Sequence, residues 1–476
     1  MSYAQKLAVL DEIRVKPTFY DQRKVKGTVS IRSGNMEKSF EVIYSYNSDI
    51  VADWNIAGLL MAMPAVNFTL FAKRLVLDFP ASKWDVDRIR DFVRINNREV
   101  FVNKLARRRY EFFRKAYLPG EDDITEENSN GITEVVSTSV LEDMGEPDVE
   151  FRKNAVAVLS SGGKESLLSY GMLREAGAET HAFYFNESGS HWFTASTAYA
   201  YYSSNFGNVH KVWSNVDRLY RFFLRNLEPI DQEAIKKKTD TYPVQLFIFP
   251  VYAMALVPVA LKHGISSMVL GDEFDDPREM PPYRGIRHYF GIYDQTHDFN
   301  SYMSEYLSGK GIPLRVWSAV YPVTGSVVEN VLVKRYPELF RLQRSCHSCR
   351  SVDGNMVPCG RCSKCMGIIM FVLAANGDPT EIQYRKETLE NLSVLIEKER
   401  MRLDTDELNF MKGKLNLAHV DLSALMHVDG IHILPDETVP FEKVPEYFRS
   451  DIAGIISQYS GGTYILKDGQ WLEKGA

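Results

Sequence analysis

The residues best suited to chemistry lie in a loop rich in serine and glycine, Ser160–Ser166, which reads Ser-Ser-Gly-Gly-Lys-Glu-Ser. A buried-strand pattern precedes the loop, and a helical pattern from Glu165 to Gly177 follows it. A loop that opens a helix offers backbone N–H groups and the positive end of the helix dipole to an anion. Lys164 adds a full charge there, so the loop predicts a site for nucleotide phosphates with Lys164 as the catalytic cation. The binding residues predicted in the loop are Ser160, Ser161, Gly162, Gly163, Lys164, Glu165 and Ser166.

The cysteines form a second chemical pattern. All 5 lie between residues 346 and 365, with Cys346 and Cys349 upstream of Cys359-x-x-Cys362-x-x-Cys365. Such clustering argues against a disulfide framework and for a metal site in a reducing compartment. Four thiolates bind Zn²⁺ in a closed, structural site, and an iron–sulfur cluster is the alternative. The spacing predicts Cys359, Cys362 and Cys365 as ligands and leaves Cys346 and Cys349 as rivals for the fourth position.

Polar residues also follow two later strand-like runs, His181–Phe185 and Ser267–Leu270. Ligands of parallel sheets bind at the carboxyl ends of the strands, so these residues are expected near the loop. Carboxylates after the second run suit Mg²⁺ on the nucleotide, and Asp272 is therefore also a catalytic candidate. The further nucleotide-binding residues predicted here are Phe185, Asn186, Gly271 and Asp275.

Strand and helix patterns alternate from residue 151 onward, which predicts a doubly wound, parallel α/β sheet. We expect five segments along the chain. These are an α+β N-terminal domain at 1–117, an acidic linker at 118–150, a nucleotide-binding domain at 151–345, a zinc-binding module at 346–380 and a C-terminal helical and strand extension at 381–476.

Composition limits the partners. The formal net charge of the 476 residues is −6, which disfavours a nucleic-acid partner. The apolar stretch Val244–Leu261 contains two prolines and leads into a strand pattern, so we expect a buried helix there and no membrane contact. The first residues lack the apolar core of a secretion signal. We therefore expect a cytoplasmic protein, for which a homodimer is one candidate assembly.

The loop resembles the PP-loop of the ATP pyrophosphatases, whose signature is usually written Ser-Gly-Gly-Lys/Leu-Asp-Ser. The match lies on Ser161, Gly162, Gly163, Lys164 and Ser166, whereas Glu165 stands where the family has aspartate. With the Cys-Gly-x-Cys-x-x-Cys pattern downstream, this part of the chain is similar to the 7-cyano-7-deazaguanine synthases.

A second resemblance, to the UDP-N-acetylmuramoyl-L-alanyl-L-glutamate epimerase family, covers roughly residues 50 to 375. It lies on Trp54–Leu60, Leu75–Phe79, the loop, Val269–Glu273 and the cysteine motif beginning Ser345-Cys346. The Ser-Cys position in that family favours Cys346 as the fourth metal ligand.

Both resemblances imply a sheet of the HUP/PP-loop type, with ATP, Mg²⁺ and Zn²⁺ bound. They also imply one shared half-reaction, in which ATP is cleaved between the α and β phosphates and a small carboxylate substrate takes the AMP. An epimerase then needs a base near the α-carbon, for which His288 is the catalytic candidate, with His297 and Tyr289 as alternatives. The alternatives to an epimerase are an amide- or nitrile-forming ligase, a tRNA-base-modifying enzyme and a non-catalytic nucleotide sensor.

Overall fold

The structure is a computed structural model, and it describes residues 2–107, 111–142, 147–187, 191–237, 244, 246–274, 279–289, 291–346, 348–398, 401–434 and 437–474. The strands are β1 (Glu12–Tyr20), β2 (Lys24–Ser33), β3 (Met36–Tyr46), β4 (Arg74–Ser82), β5 (Glu134–Leu141), β6 (Arg152–Leu159), β7 (Glu179–Asn186), β8 (Val209–Ser214), β9 (Ile265–Leu270), β10 (Met280–Tyr283), β11 (Ile286–His288), β12 (Arg315–Ser318), β13 (Arg350–Val352), β14 (Asn355–Val357), β15 (Ile431–Ile433), β16 (Thr463–Lys467) and β17 (Gln470–Glu473).

The α-helices are α1 (Tyr3–Leu7), α2 (Trp54–Val66), α3 (Lys83–Val100), α4 (Glu126–Asn130), α5 (Lys164–Glu175), α6 (His191–Asn205), α7 (Val216–Asn226), α8 (Gln232–Lys237), α9 (Phe249–His263), α10 (His297–Ser308), α11 (Gly325–Arg335), α12 (Pro337–Phe340), α13 (Ser363–Ala374), α14 (Lys386–Glu390), α15 (Leu392–Lys398), α16 (Thr405–Lys414) and α17 (Glu446–Ser457). A π-helical turn, Phe101–Ala106, continues α3. Short 3-10 helices lie at Thr69–Phe71, Lys115–Tyr117, Glu121–Asp123, Tyr293–Gln295, Pro379–Ile382 and Leu422–Asp429.

The chain divides into two compact units, and both are discontinuous in sequence. The first unit comprises Met1–Arg152, Lys211–Ser266 and Pro277–Arg315. The second comprises Lys153–His210, Ser267–Asp276 and Val316–Ala476.

The first unit contains a mixed sheet with the strand order β8-β3-β2-β1-β4-β5. The strands from β8 to β1 pair antiparallel, and β1, β4 and β5 pair parallel. Helix α2 packs closely on this sheet because Gly27 of β2 has no side chain, and a Cβ there would overlap Met61. Alternating burial along β2 gives the sheet one apolar and one polar face, as expected for a half-covered sheet.

The second unit contains strands in the order β12-β9-β6-β7, of which β6 and β7 pair parallel. Helix α5 follows β6 and buries Leu167, Leu168, Met172 and Leu173. Each such side chain contributes about 1.5–3 kcal/mol on burial, so this face holds the helix firmly to the core. Helices α11 and α13 belong to the same hydrophobic core as α5.

The C-terminal residues of the second unit are ordered around a small sheet, β15-β16-β17. β15 and β16 pair parallel, and α17 lies between them in the chain. The amide of His432 donates to the carbonyl of Pro322, at 2.8 Å, in the segment that follows β12. This sheet therefore packs beside the segment that follows β12.

The predicted α/β class is confirmed, whereas the HUP type stays a prediction. The division into segments differs from the structure, because residues 211–266 and 277–315 pack with the N-terminal residues and not with the loop. Region 118–150, predicted as an acidic linker, contains α4 and also β5, which pairs with β4 and includes the β-branched residues Val135, Val136, Thr138 and Val140. The apolar stretch after Val244 forms the buried helix α9, as predicted. Every helix among the described residues is too short or too polar to cross a bilayer.

Candidate functional site

The serine- and glycine-rich loop joins β6 to α5, as predicted. The amide of Ser160 donates to the carbonyl of Phe183 in β7, at 2.8 Å, which extends the pairing of β6 and β7 to the start of the loop. Gly162 then turns the chain with φ of 79°, and Gly163 is the N-cap of α5. The hydroxyl of Thr194 donates to the carbonyl of Ser161, at 3.2 Å, and holds the turn in place.

The first turn of α5 has a geometry that suits an anion. The amides of Lys164, Glu165 and Ser166 have no carbonyl partner within the helix, because the first turn of any α-helix leaves its N–H groups free. Gly163 has no side chain with which to cap them. The hydroxyl of Ser166 donates to the carbonyl of Gly163, at 3.1 Å, so it braces the turn. The chain thus presents several N–H donors and the helix dipole at one point.

Gly162→Ala is expected to destabilise the protein by about 2–4 kcal/mol. An alanine at positive φ costs about 1 kcal/mol, and the overlap of the new Cβ with the carbonyl oxygen of Thr194 adds about 1–3 kcal/mol of packing strain. Gly177→Ala is a matched control, because Gly177 has φ of 78° and nothing within 4 Å of the new Cβ. Urea unfolding should therefore give a larger loss for Gly162→Ala, and equal losses would contradict the described geometry.

Lys164 is buried, with 4% of its surface exposed, and its ammonium lies between two carboxylates. Nζ is 2.5 Å from Oε1 of Glu165 and 2.6 Å from Oε1 of Glu273. Burial alone would lower the pKa of Lys164, but the two glutamates raise it well above its usual value. Burial would likewise raise the pKa of Glu165, but Lys164 lowers it. Lys164 and Glu165 are therefore both charged at neutral pH.

Glu165, the residue that departs from the family signature, reaches back over the start of α5. A Cβ on Gly163 would lie 2.8 Å from Oε2 of Glu165, and a Cβ on Gly271 would lie 2.8 Å from its Cβ. The glycines at positions 163 and 271 thus make room for this side chain. Its carboxylate lies at the N-terminus of α5, where a phosphate is predicted, so an anion that binds there competes with Glu165 for Lys164.

The other nucleotide-binding residues predicted in the second unit lie at strand ends. Phe185 and Asn186 end β7, the neighbour of β6, and both are half-buried. Gly271 and Asp272 directly follow β9, where Asp272 is buried and its carbonyl accepts from the hydroxyl of Ser318, at 2.7 Å. Asp275 lies outside the described residues. The structure therefore brings Gly271 to the loop through Glu165.

Sequence reasoning missed Glu329, a fully buried carboxyl group on α11. Oε2 accepts from Nε2 of Gln343, at 3.0 Å, while Oε1 has no hydrogen-bond partner among the described residues. Burial raises the pKa of Glu329 to about 8, although Gln343 and the charge of Lys164 oppose the rise. The carboxyl group is thus mostly protonated at neutral pH. A carboxylate within the apolar run Val327–Leu332 was the sequence signal for it.

Glu329→Gln is expected to remove a pH dependence of stability. Because the folded pKa is raised to about 8 from 4.5, the unfolded chain releases this proton first as the pH rises. The free energy of unfolding of the wild type should therefore fall by about 1.4 kcal/mol per pH unit between these two values, relative to the variant. Urea unfolding at pH 5, 6.5 and 8 measures this difference, with Glu338→Gln on the exposed helix α12 as control. A constant difference across these pH values would contradict the buried, protonated state.

Sequence reasoning also missed Glu407, which the C-terminal segment places beside the loop. Oε1 of Glu407 accepts from the amide of Ser326 in the first turn of α11, at 3.0 Å, and the side chain is buried. Oε1 of Glu407 and Nζ of Lys164 each lie 3.2 Å from the position that a Cβ on Gly325 would take. Gly325 therefore lets the C-terminal segment approach Lys164 closely.

His288, the predicted catalytic base, belongs to the first unit, where it ends β11. It is buried, and burial together with the charge of Arg107 lowers its pKa, which leaves the ring neutral at pH 7. The next residue, Tyr289, donates its amide to Glu99, at 2.7 Å, and its hydroxyl to Asp298, at 2.6 Å. His297 begins α10. The role of a base for His288 stays a prediction.

The cysteine motif forms a candidate metal centre. The sulfur atoms of Cys346, Cys359, Cys362 and Cys365 all lie within 4.8 Å of one another, and none is in a disulfide. The sulfur atoms of Cys359 and Cys365 are 3.7 Å apart. Thiolates that surround a zinc ion tetrahedrally at 2.3 Å lie about 3.8 Å apart, so the four residues fit Zn²⁺. Cys349 is not part of this group.

The surrounding backbone suits thiolates. The amides of Ser348 and Cys359 donate to the sulfur of Cys346, at 3.3 and 3.5 Å. Cys362 is the N-cap of α13 and Cys365 lies in its first turn, where the helix dipole favours negative charge. The amide of Arg344, two residues before Cys346, donates to the carbonyl of Gly162, at 2.8 Å. The metal centre is thus joined directly to the loop.

Comparison of the chain with models of protein families, with curated proteins and with solved structures found no match. The candidate functions therefore depend on the residues and their geometry.

Proposed function

We propose that the protein is an AMP-forming enzyme of the PP-loop type, which transfers the adenylyl group of ATP to a carboxylate. The observation that carries this proposal is the loop before α5, where N–H groups without carbonyl partners at a helix N-terminus meet the buried ammonium of Lys164. Its position after β6, which lies between β7 and β9, supports the proposal, because doubly wound sheets bind nucleotides at such a point.

In the proposed reaction, a carboxylate oxygen of the substrate attacks the α-phosphorus of ATP. The bond from that phosphorus to the bridging oxygen breaks, and pyrophosphate leaves with the electron pair. The amides of the first turn of α5 and the ammonium of Lys164 stabilise the charge that develops on pyrophosphate. This requires Lys164 to exchange at least one of its carboxylate partners, Glu165 or Glu273, for a phosphate oxygen.

Mg²⁺ would supply further charge stabilisation in this reaction. The carboxylates of Glu165, Asp272 and Glu273 are the residues that would hold it, because hard oxygen ligands suit this ion. Zn²⁺ in the four-cysteine centre would be structural, since a closed set of four thiolates leaves no open position for a substrate.

The test is to incubate the zinc-loaded protein with ATP, Mg²⁺ and a panel of small carboxylates, and to separate the nucleotides by ion-exchange chromatography. We expect AMP and pyrophosphate in equal amounts. ADP and phosphate instead would contradict the proposal. ATP binding without turnover on any carboxylate would favour a nucleotide sensor over an enzyme.

The fate of the adenylate distinguishes an epimerase from a ligase. In an epimerase, the activated substrate would lose its α-proton and take one back from solvent, so the α-carbon would exchange its hydrogen. In a ligase, amide formation would consume ammonia. We propose the epimerase-like outcome first. Reaction in D₂O should place deuterium at the α-carbon, as measured by mass spectrometry. Dependence of AMP formation on ammonia, without deuterium incorporation, would favour the ligase instead.

A further inference from the structure

A surface groove of about 480 Å³ lies beside the four-cysteine centre in the second unit. Cys359 and Gly360 line one side of it, and α14 and α15 line the other. Four cationic side chains from four places in the chain lie around it. These are Arg350 of β13, Arg361 between two cysteines of the cluster, Arg385 at the N-cap of α14 and Lys398 at the end of α15.

These four cations are exposed and lack protein partners. Among the described residues, none of them has a hydrogen bond or an ion pair from its side chain. Arg341 of the same unit, by contrast, is paired with Glu381, at 2.7 Å. Among the described residues that line the groove, Glu387 is the only carboxylate. Since like charges repel, the groove holds positive charge that the described part of the chain does not neutralise.

The chemistry of the lining favours phosphate. A guanidinium group offers planar, paired N–H donors that match two phosphate oxygens, and three of the four cations are arginines. Four positive charges exceed the single negative charge of Glu387 together with the net charge of −2 that a zinc ion with four thiolates would carry beside the groove. Val394 and Leu395 add an apolar floor, which suits a ligand with carbon atoms between or beside its phosphates.

We infer that this groove binds a ligand that carries two or more phosphate groups, at a site separate from the loop before α5. Such a ligand is a polyphosphate-bearing small molecule or the phosphodiester backbone of a nucleic acid, which share this chemistry. The inference is independent of the proposed AMP-forming activity, because it rests on the charges of the groove alone.

The test compares two double variants of the full-length, zinc-loaded protein with the same change of charge. Arg350→Gln with Arg385→Gln removes two cations of the groove. Arg341→Gln with Lys386→Gln removes two exposed cations that do not line it. Calorimetric titration with inorganic tripolyphosphate, and anisotropy with a labelled single-stranded RNA octamer, measure the dissociation constants at low salt.

Of the two probes, we take the one that the wild type binds more tightly. We expect the groove variant to bind it about a hundredfold more weakly than the wild type does, tenfold for each lost guanidinium contact. The control variant should bind it like the wild type. Tighter binding of RNA than of tripolyphosphate would identify a phosphodiester ligand, and the reverse a small polyphosphate. Equal binding by both variants would overturn the inference. So would binding of polyglutamate as tight as that of the phosphates, which would indicate an acidic protein partner. Loss of zinc from the groove variant, with phosphate binding intact, would also overturn it and assign the cations to charge balance at the thiolates.

Discussion

Lys164→Ala is expected to lower AMP formation from ATP about a thousandfold, the upper range for loss of one group that stabilises transition-state charge. Lys164 is the cation of the loop, and its Nζ lies within 2.6 Å of the carboxylates of Glu165 and Glu273. The measurement is the steady-state rate of AMP and pyrophosphate release at saturating ATP. Lys153→Ala, which removes an exposed lysine from β6, is the control and should keep wild-type activity.

The same variant should lose stability in a pH-dependent way. Removing one partner of a buried ion pair costs about 3–5 kcal/mol, because the buried carboxylate of Glu273 and the partly buried carboxylate of Glu165 remain without a cation. In the wild type, Lys164 holds the pKa of Glu165 below 4.5, so its contribution is present at neutral pH and lost as the pH falls. Without Lys164, burial raises the pKa of Glu165, so the variant loses stability as the pH rises.

Urea unfolding at pH 5 and pH 8 measures both pH dependences. The difference in free energy of unfolding between wild type and Lys164→Ala should be larger at pH 8. Zinc content should stay unchanged, which shows that the variant is folded in the assay. Turnover above about a tenth of the wild-type rate in a folded variant would exclude the loop as the catalytic site.

Sequence reasoning predicted the parts of the site that are local in the chain. A strand, a glycine turn and a helix start within a few residues of one another determine the loop geometry, and Cys359, Cys362 and Cys365 form one chelating turn. Each needs only neighbouring residues, so their spacing carries the information. Spacing alone does not distinguish Cys346 from Cys349 as the fourth ligand, because both lie at a similar distance in sequence from Cys359. The choice of Cys346 came from a family resemblance.

The surroundings of Lys164 depend on tertiary packing, and for that reason the sequence did not reveal them. Glu273, Glu329 and Glu407 come from three separate elements that meet at α5 only in the folded chain. The sequence does not reveal the discontinuous make-up of the two units for the same reason. Residues 211–266 continue the alternating strand and helix pattern, although they pack with the N-terminal residues. At β5, an acidic and polar composition concealed a strand that parallel pairing with β4 stabilises.

Cys346→Ser is expected to remove zinc, and Cys349→Ser to leave it bound. The two residues are three positions apart and both are buried, so the variants make matched changes. Only Cys346 shares the four-sulfur group, and two backbone amides donate to its sulfur. Structural zinc sites contribute about 10–16 kcal/mol of apparent binding free energy, so loss of one of four thiolates should weaken zinc binding by several orders of magnitude. Metal content by mass spectrometry and competition with a chromogenic chelator measure the effect.

The consequence should reach the loop before α5, because the amide of Arg344, two residues before Cys346, donates to the carbonyl of Gly162. Helix α13, which carries Cys365, also places the ring of Phe371 5.7 Å from Nζ of Lys164. Loss of zinc should therefore free both the turn at Gly162 and the surroundings of Lys164.

Hydrogen exchange at residues 160–166 should be faster in Cys346→Ser and unchanged in Cys349→Ser. Equal exchange in the two variants would mean that the loop holds its geometry without the metal centre, and equal zinc loss would mean that Cys349 is a ligand. The expected pattern is zinc loss together with faster loop exchange in Cys346→Ser alone. It would show that the four-cysteine centre supports the loop of the proposed nucleotide site.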